Sequence, residues 1–139
     1  MAMNRTGEAS RVVLVVDDDP ITTTTMRRLL ELDGYDARVA YSGLQAVEAA
    51  HRCQPDAVIC DINLPGMSGW EVARALRQGC SVQRTYMIAL TGDHLDGRTS
   101  SKESGFDLHL VKPVDPQELS RILAKELATG LPVRGMAPL

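Results

Sequence analysis

Four apolar runs in this chain end on polar residues that could do chemistry together. Val12 to Val16 lead into Asp17, Asp18 and Asp19, the run closing on Cys60 is followed by Asp61, Ala89-Leu90 by Thr91, and Leu110-Val111 by Lys112. In open parallel sheets the working crevice lies beyond the carboxyl ends of the strands, so these four ends are where a site would form. If the strand order is 2-1-3-4-5, the first and third strands are neighbours and Asp17, Asp18 and Asp61 converge. Three carboxylates in one place repel, which demands either raised pKa values or a bound cation. All-oxygen donors select a small hard ion, and Mg²⁺ suits them better than Ca²⁺ because no loop offers a calcium cage. Zinc lacks its usual ligands, since none of His51, His94 or His109 adjoins the acidic cluster in sequence. Mg²⁺ in turn recruits phosphate. Asp61 could then act as nucleophile toward a phosphoryl group screened by the metal and by Lys112, with Thr91 supplying a hydroxyl donor.

Such a site needs alternating strands and helices, and the sequence provides them. Strand-like segments at 11 to 16, 37 to 41, 56 to 60, 85 to 90 and 108 to 111 alternate with helical patterns, the signature of a parallel sheet covered on both faces. Continuous apolar runs at Val12 to Val16 and Val58 to Cys60 suit central strands, whereas the second and fifth segments are broken by polar residues and suit edges. Helix starts are marked by Asp19-Pro20, by Ser42 with Gln45, by Ser68 with Glu71, and by Asp115-Pro116 with Glu118. Gly34 and Gly105 are suitable stops. In the last helix Leu119, Ile122, Leu123 and Leu127 form one apolar stripe, leaving Arg121 and Lys125 in water. Between Gly92 and Gly105 only Leu95 is a large apolar residue, so a helix there is weakly anchored and is the expected moving part. Residues 1 to 10 and 128 to 139 are expected to be flexible ends around one domain at 11 to 127.

Composition narrows the function further. At 139 residues there is room for one core, and 44% hydrophobic with 24% charged residues is ordinary globular usage. A formal net charge of -3 and few aromatics argue against nucleic acid as a direct partner. The longest aliphatic run is far short of the ~20 residues that span a bilayer, and no secretory signal opens the chain, so no membrane contact and a cytoplasmic location are expected. Cys53, Cys60 and Cys80 lack paired spacing and read as free thiols, Cys60 as a small core residue on the face opposite Asp61 rather than a redox sensor. Trp70 reads as cover for the sheet edge or a loop.

Four motifs, Val15-Val16-Asp17-Asp18-Asp19-Pro20, Asp61-Ile62-Asn63-Leu64-Pro65-Gly66-Met67-Ser68-Gly69, Ala89-Leu90-Thr91-Gly92 and Leu110-Val111-Lys112-Pro113, occur in order over residues 11 to 127. They resemble the response-regulator receiver domain of two-component signalling. The resemblance implies a flavodoxin-like, doubly wound α/β fold with a five-stranded parallel sheet of order 2-1-3-4-5. It implies that Asp61 is the phosphoacceptor, loaded from a phosphohistidine on a sensor histidine kinase or phosphotransfer protein, and that Mg²⁺ is the cofactor. Asp18 resembles the direct metal ligand, Asp17 the one acting through water, and Asn63 the residue lending its backbone carbonyl. Thr91 and Lys112 are similar to the pair that move onto the phosphoryl oxygens, and the Lys112-Pro113 bond is often cis in the family. The implied output is a changed surface on the 93 to 104 helix, the fifth strand and the last helix, read by a downstream protein effector. Either a single-domain regulator or the receiver of a hybrid kinase fits.

One position departs from the family. Three residues before the lysine, where Tyr or Phe is usual and turns inward on activation, stands His109. It either fills the same space or adds a protonation that biases the switch. Other classes remain in view. An aspartyl-phosphate-forming, Mg²⁺-dependent phosphatase or phosphotransferase usually carries a second acid two residues after its nucleophile, and Asn63 occupies that slot, so slow turnover and a regulatory rather than enzymatic role are expected. A flavin mononucleotide carrier of the same fold needs neutral donors where this chain has three aspartates.

Overall fold

In the computed structural model, which describes residues 10–78, 85–92 and 105–128, nine elements alternate along the chain. They are β1 (Val12–Val16), α1 (Pro20–Leu32), β2 (Asp36–Ala40), α2 (Gly43–Cys53), β3 (Ala57–Asp61), α3 (Gly69–Gln78), β4 (Tyr86–Thr91), β5 (Leu108–Val111) and α4 (Pro116–Ala128). The sheet is five-stranded and parallel, in the order β2-β1-β3-β4-β5. The weakly anchored element expected at 93–104, Cys80, His94 and most of both chain ends lie outside the described residues.

Each strand splits its side chains between two cores because successive residues point to opposite faces. Val13, Val15, Ile59, Ile88 and Leu90 pack with Met26 and Leu30 of α1 and Leu119, Leu123 and Leu127 of α4. Leu14, Val16, Val58, Cys60 and Ala89 pack with Ala46 and Ala50 of α2 and Val72 and Leu76 of α3. The central β3 is buried at all five positions, while β2 and β5 form the edges and stay partly exposed. Cys60 faces the second core, as alternation predicts. Among the described residues the core is aliphatic apart from Phe106.

The expected cap side chains Asp19, Ser42, Ser68 and Asp115 all accept from the first turns of their helices, with one displacement in a returning bond. Asp19 accepts a hydrogen bond from the Ile21 backbone N–H and Pro20 follows at the first helical position. Ser68 and Glu71 form a reciprocal pair: the Glu71 N–H donates to Ser68 Oγ and the Ser68 N–H donates to Glu71 Oε1. At α2 the Gln45 N–H donates to Ser42 Oγ, but Gln45 Oε1 accepts from Tyr41, one residue before the cap. Helix α1 stops at Gly34, whose φ of 96° lets the Tyr35 N–H return to the Leu30 carbonyl and the Gly34 N–H to that of Glu31. In α4, Arg121 and Lys125 are exposed opposite the leucine stripe. The Lys112-Pro113 peptide is cis.

Strand ends differ from the sequence reading by one residue at several places: β2 starts at Asp36, and β3 and β4 reach through Asp61 and Thr91. Pairing partners set these limits. The Ile62 N–H donates to the Leu90 carbonyl and the Lys112 N–H to that of Thr91, extending the ladder to the residues that carry the polar groups.

Candidate functional site

Adjacency of β1 and β3 brings together residues more than 40 positions apart. Val16 is in register with Cys60, so the next residue on each strand, Asp17 and Asp61, leaves the sheet side by side. One carboxylate oxygen from each of Asp17, Asp18 and Asp61 lies within 4.8 Å of the other two. Asp17 and Asp61 are buried and Asp18 is exposed. At an effective dielectric of ~20, two unit charges at that separation repel by about 3 kcal/mol, so the cluster calls for a counterion.

Lys112 supplies part of it. Its Nζ donates to Asp61 Oδ2 at 2.9 Å and to Asp17 Oδ2 at 3.4 Å. Burial alone would lower the ammonium pKa, but the hydrogen bond and charge of Asp61, with Asp17 behind it, hold it above the ordinary lysine value. Burial raises the pKa of Asp17, against the opposing pull of the Asp19 N–H and Lys112. The remaining lone pairs are oriented by the backbone: Asp17 Oδ1 accepts from the Asp19 N–H, and Asp61 Oδ1 from the Asn63 N–H, each at 2.9 Å. The third aspartate of the first loop is committed elsewhere. Asp19 accepts from the Thr22 hydroxyl as well as from Ile21, which depresses its pKa, and it serves as the α1 cap.

The other expected residues fall around this centre. Thr91 ends β4 and is buried, in register with Val111 next to Lys112. Asn63 is exposed, two residues beyond Asp61. Three hard carboxylates gathered this closely fit Mg²⁺ by donor type, and Asp17, Asp18 and Asp61 are the side chains that would hold it. Cys60 stays out of the chemistry: fully buried, its thiol donates to the Asp61 carbonyl, and burial, then the charges of Asp61 and Asp17, push its pKa far up.

His109 sits in an aromatic cluster. Its ring centroid lies 5.7 Å from that of Trp70 and 5.9 Å from that of Phe106, and Trp70 meets Phe106 edge-on at 5.7 Å. Trp70 thereby covers the edge strand, as read from sequence. Burial lowers the His109 pKa. A histidine pKa that is lower folded than unfolded means that the unfolded chain binds the extra proton. Its stabilising contribution is therefore complete above the unfolded value of ~6.5 and is lost as pH falls through the lower folded value. Urea unfolding of the wild type and of His109→Phe between pH 7.5 and 5 is expected to show a steeper acid-side loss in the wild type, and parallel curves would contradict this.

Sequence reading missed one positioning residue. Arg77 of α3 donates from Nε to the Gly105 carbonyl, from Nη1 to the Thr85 carbonyl and from Nη2 to Asp107 Oδ2, all between 2.8 and 2.9 Å. Asp107 Oδ2 also accepts from the Met87 N–H. This fork joins α3 to the starts of β4 and β5, and no local pattern marks it because its partners lie 8, 28 and 30 residues further along the chain.

Residues 13–124 match the family model of the response regulator receiver domain. The chain is 39% identical over 114 residues to the DNA-binding response regulator MtrA of Mycolicibacterium smegmatis, covering 81% of this chain and 49% of that protein. To the response regulator MprA of Mycobacterium tuberculosis it is 33% identical over 107 residues, covering 77% and 46%. The chain thus spans about half the length of the curated relatives it matches. Among solved structures, the chemotaxis protein CheY4 of Vibrio cholerae superimposes with a TM-score of 0.80 at 30% identity, covering 86% of this chain and 100% of that one. The receiver domain of sensor histidine kinase PA1611 from Pseudomonas aeruginosa, a structure with magnesium coordinated in its active-site cleft, gives 0.78 at 33% identity, covering 87% and 100%.

Proposed function

Since the chain belongs to the response regulator receiver domain family, we propose that it is a phosphoacceptor signalling module in which Asp61 accepts a phosphoryl group from a phosphohistidine. The observation that carries this reading is the convergence of Asp17, Asp18 and Asp61 beside the Lys112 ammonium. In the transfer an Asp61 carboxylate oxygen forms the bond to phosphorus as the P–N bond breaks. The departing nitrogen keeps the electron pair, and a donor imidazole protonated on its other ring nitrogen leaves as the neutral base. Asp17, Asp18, Asp61 and the Asn63 carbonyl would hold Mg²⁺, which when bound would offset the negative charge of the phosphoryl oxygens. Lys112 shifts from the carboxylates to those oxygens, and the Thr91 hydroxyl donates to another. This movement alters the surface of β5, where His109 packs against Trp70 and Phe106, and of α4 for a protein effector. The role is regulatory: Asn63, two residues after the acceptor, is no acid to protonate a leaving group.

The partners of this reading are a sensor histidine kinase or phosphotransfer protein and an effector protein, in the cytoplasm. "DNA-binding" in the name of MtrA describes that whole protein, and the net charge of -3 supports protein partners for this chain. Among the described residues no helix is long and apolar enough to cross a membrane.

A groove of about 500 Å³ adjoins the acidic centre, lined by Lys112 together with Ile21, Met26 and Leu29 of α1, Pro113, and Leu119 of α4. Ile21 is 76% exposed there. Because Lys112 belongs to both groove and pit, a helix carrying the phosphohistidine can seat its apolar side on Ile21 and present its imidazole to Asp61. One phosphoryl group is expected to pass from a phosphorylated histidine donor to the wild type in Mg²⁺, and no transfer would overturn the proposal. Ile21→Asp is expected to slow that transfer about tenfold or more while loading from acetyl phosphate stays within twofold.

A further inference from the structure

The helix that follows the acceptor strand begins against the acceptor's own backbone. Gly69, the first residue of α3, donates its N–H to the Ile62 carbonyl at 2.8 Å. A methyl group at this position would lie 2.6 Å from Ile62 Cα and 2.7 Å from the Asp61 carbonyl oxygen. Both are backbone atoms, so no rotamer change can relieve the overlap. Behind them, the Ile62 N–H is tied to the Leu90 carbonyl of β4 at 3.0 Å. Ile62 is therefore held from both sides, its carbonyl by α3 and the N–H of the Asp61-Ile62 peptide by β4, with Gly69 packed against that peptide. The same peptide sets where the Asp61 carboxylate and the following Asn63 stand. The clamp is braced from α2, where the Met67 side chain rests directly on Gly43.

We infer that Gly69 is a positioning residue for the phosphoacceptor: by having no side chain it lets the first turn of α3 lock the Asp61-Ile62 peptide in the place that metal binding and phosphoryl acceptance require. The inference rests on the function proposed above and adds a determinant that touches neither metal nor phosphoryl group. Groups one layer removed from a metal commonly change its affinity by ~10- to 100-fold, because small displacements of the ligands are felt in full.

Gly66 provides an internal control in the same turn. Its φ is +80°, so a side chain there is strained, yet a methyl group would meet nothing within 4 Å. Gly66→Ala thus perturbs stability without pushing on Asp61. The experiment measures Mg²⁺ affinity by titration calorimetry, the rate of loading from acetyl phosphate, and Tm, for the full chain as wild type, Gly69→Ala and Gly66→Ala. Gly69→Ala is expected to weaken Mg²⁺ binding about tenfold or more and to slow loading in step, with Gly66→Ala within twofold of wild type on both. Equal Mg²⁺ affinity in Gly69→Ala and Gly66→Ala would overturn the inference, whatever their Tm values. A wild type that binds no Mg²⁺ and takes no phosphoryl group would instead overturn the function itself.

Should Gly69→Ala not fold, amide exchange of the wild type decides. If the clamp favours Mg²⁺, Mg²⁺ must favour the clamp by the same factor. Protection of the Gly69 N–H is expected to rise on saturation by several-fold more than that of the Gly66 N–H, and an equal rise would overturn the assignment.

Discussion

Asp61→Asn is expected to remove phosphoryl loading, lowering the rate of adduct formation from acetyl phosphate and Mg²⁺ by about a thousandfold or more, as read by intact mass. The amide is nearly isosteric and keeps an oxygen to accept the Asn63 N–H, so the fold survives and the far-ultraviolet circular dichroism is unchanged. What disappears is the anionic oxygen proposed to form the bond to phosphorus. The neighbouring carboxylates are poor substitutes. Asp17 is raised in pKa by burial and has one oxygen engaged by the Asp19 N–H and the other facing Lys112, and Asp18 is exposed. An adduct that forms in Asp61→Asn at the wild-type rate would move the acceptor to one of these two and refute the assignment.

Lys112→Met is expected to act in opposite directions on two measurements. The ammonium sits 2.9 Å from Asp61 Oδ2 and 3.4 Å from Asp17 Oδ2, where it neutralises the oxygens that a divalent cation would use. Removing it leaves the pit more negative, and a gain of about 1.4 kcal/mol in attraction corresponds to about tenfold tighter Mg²⁺ binding. Loading from acetyl phosphate is expected to fall about a hundredfold, because the cation that stabilises charge developing on the phosphoryl oxygens is gone. Without Mg²⁺ the variant also leaves two buried carboxylates uncompensated. A fully buried pair broken this way costs ~3 to 5 kcal/mol, and because the Lys112 side chain is 35% exposed we expect about 1 to 2 kcal/mol, recovered as Mg²⁺ saturates the site. Unchanged Mg²⁺ affinity in calorimetry would show that Lys112 does not share its oxygens with the metal.

Both outcomes depend on groups that the chain encodes far apart. Asp61 and Lys112 are separated by 51 residues, and Lys112 and Asp17 by 95. Their union follows from a topology in which β3 lies between β1 and β4, with β5 beyond β4. The order of the strands was implied only by the resemblance to the receiver family, while local signals made the alternation of strands and helices legible, through apolar strand runs, interrupted edges, and helix starts at Asp19, Ser42, Ser68 and Asp115. Each of these is a short-range interaction between residues a few positions apart, as in the Ser68 and Glu71 pair or the Asp19 contacts to Ile21 and Thr22.

Which polar residues stand at or just beyond the strand ends, to within one residue, can be read along the chain, since alternation and capping are properties of neighbouring residues. The sequence therefore named Asp17, Asp18, Asp61, Thr91 and Lys112. How they share space follows from packing between distant elements: the Asp17 and Asp18 carboxylates meet Asp61, the Lys112 ammonium lies on two carboxylates, His109 packs against both Trp70 and Phe106, and Arg77 ties three backbone segments together. Gly69 illustrates the division most sharply. As a letter it is a small residue at a helix start, and its role exists only because the Asp61 carbonyl and Ile62 Cα occupy the volume a side chain would fill. Steric exclusion between distant segments is set by where whole elements pack, and no local pattern carries that information.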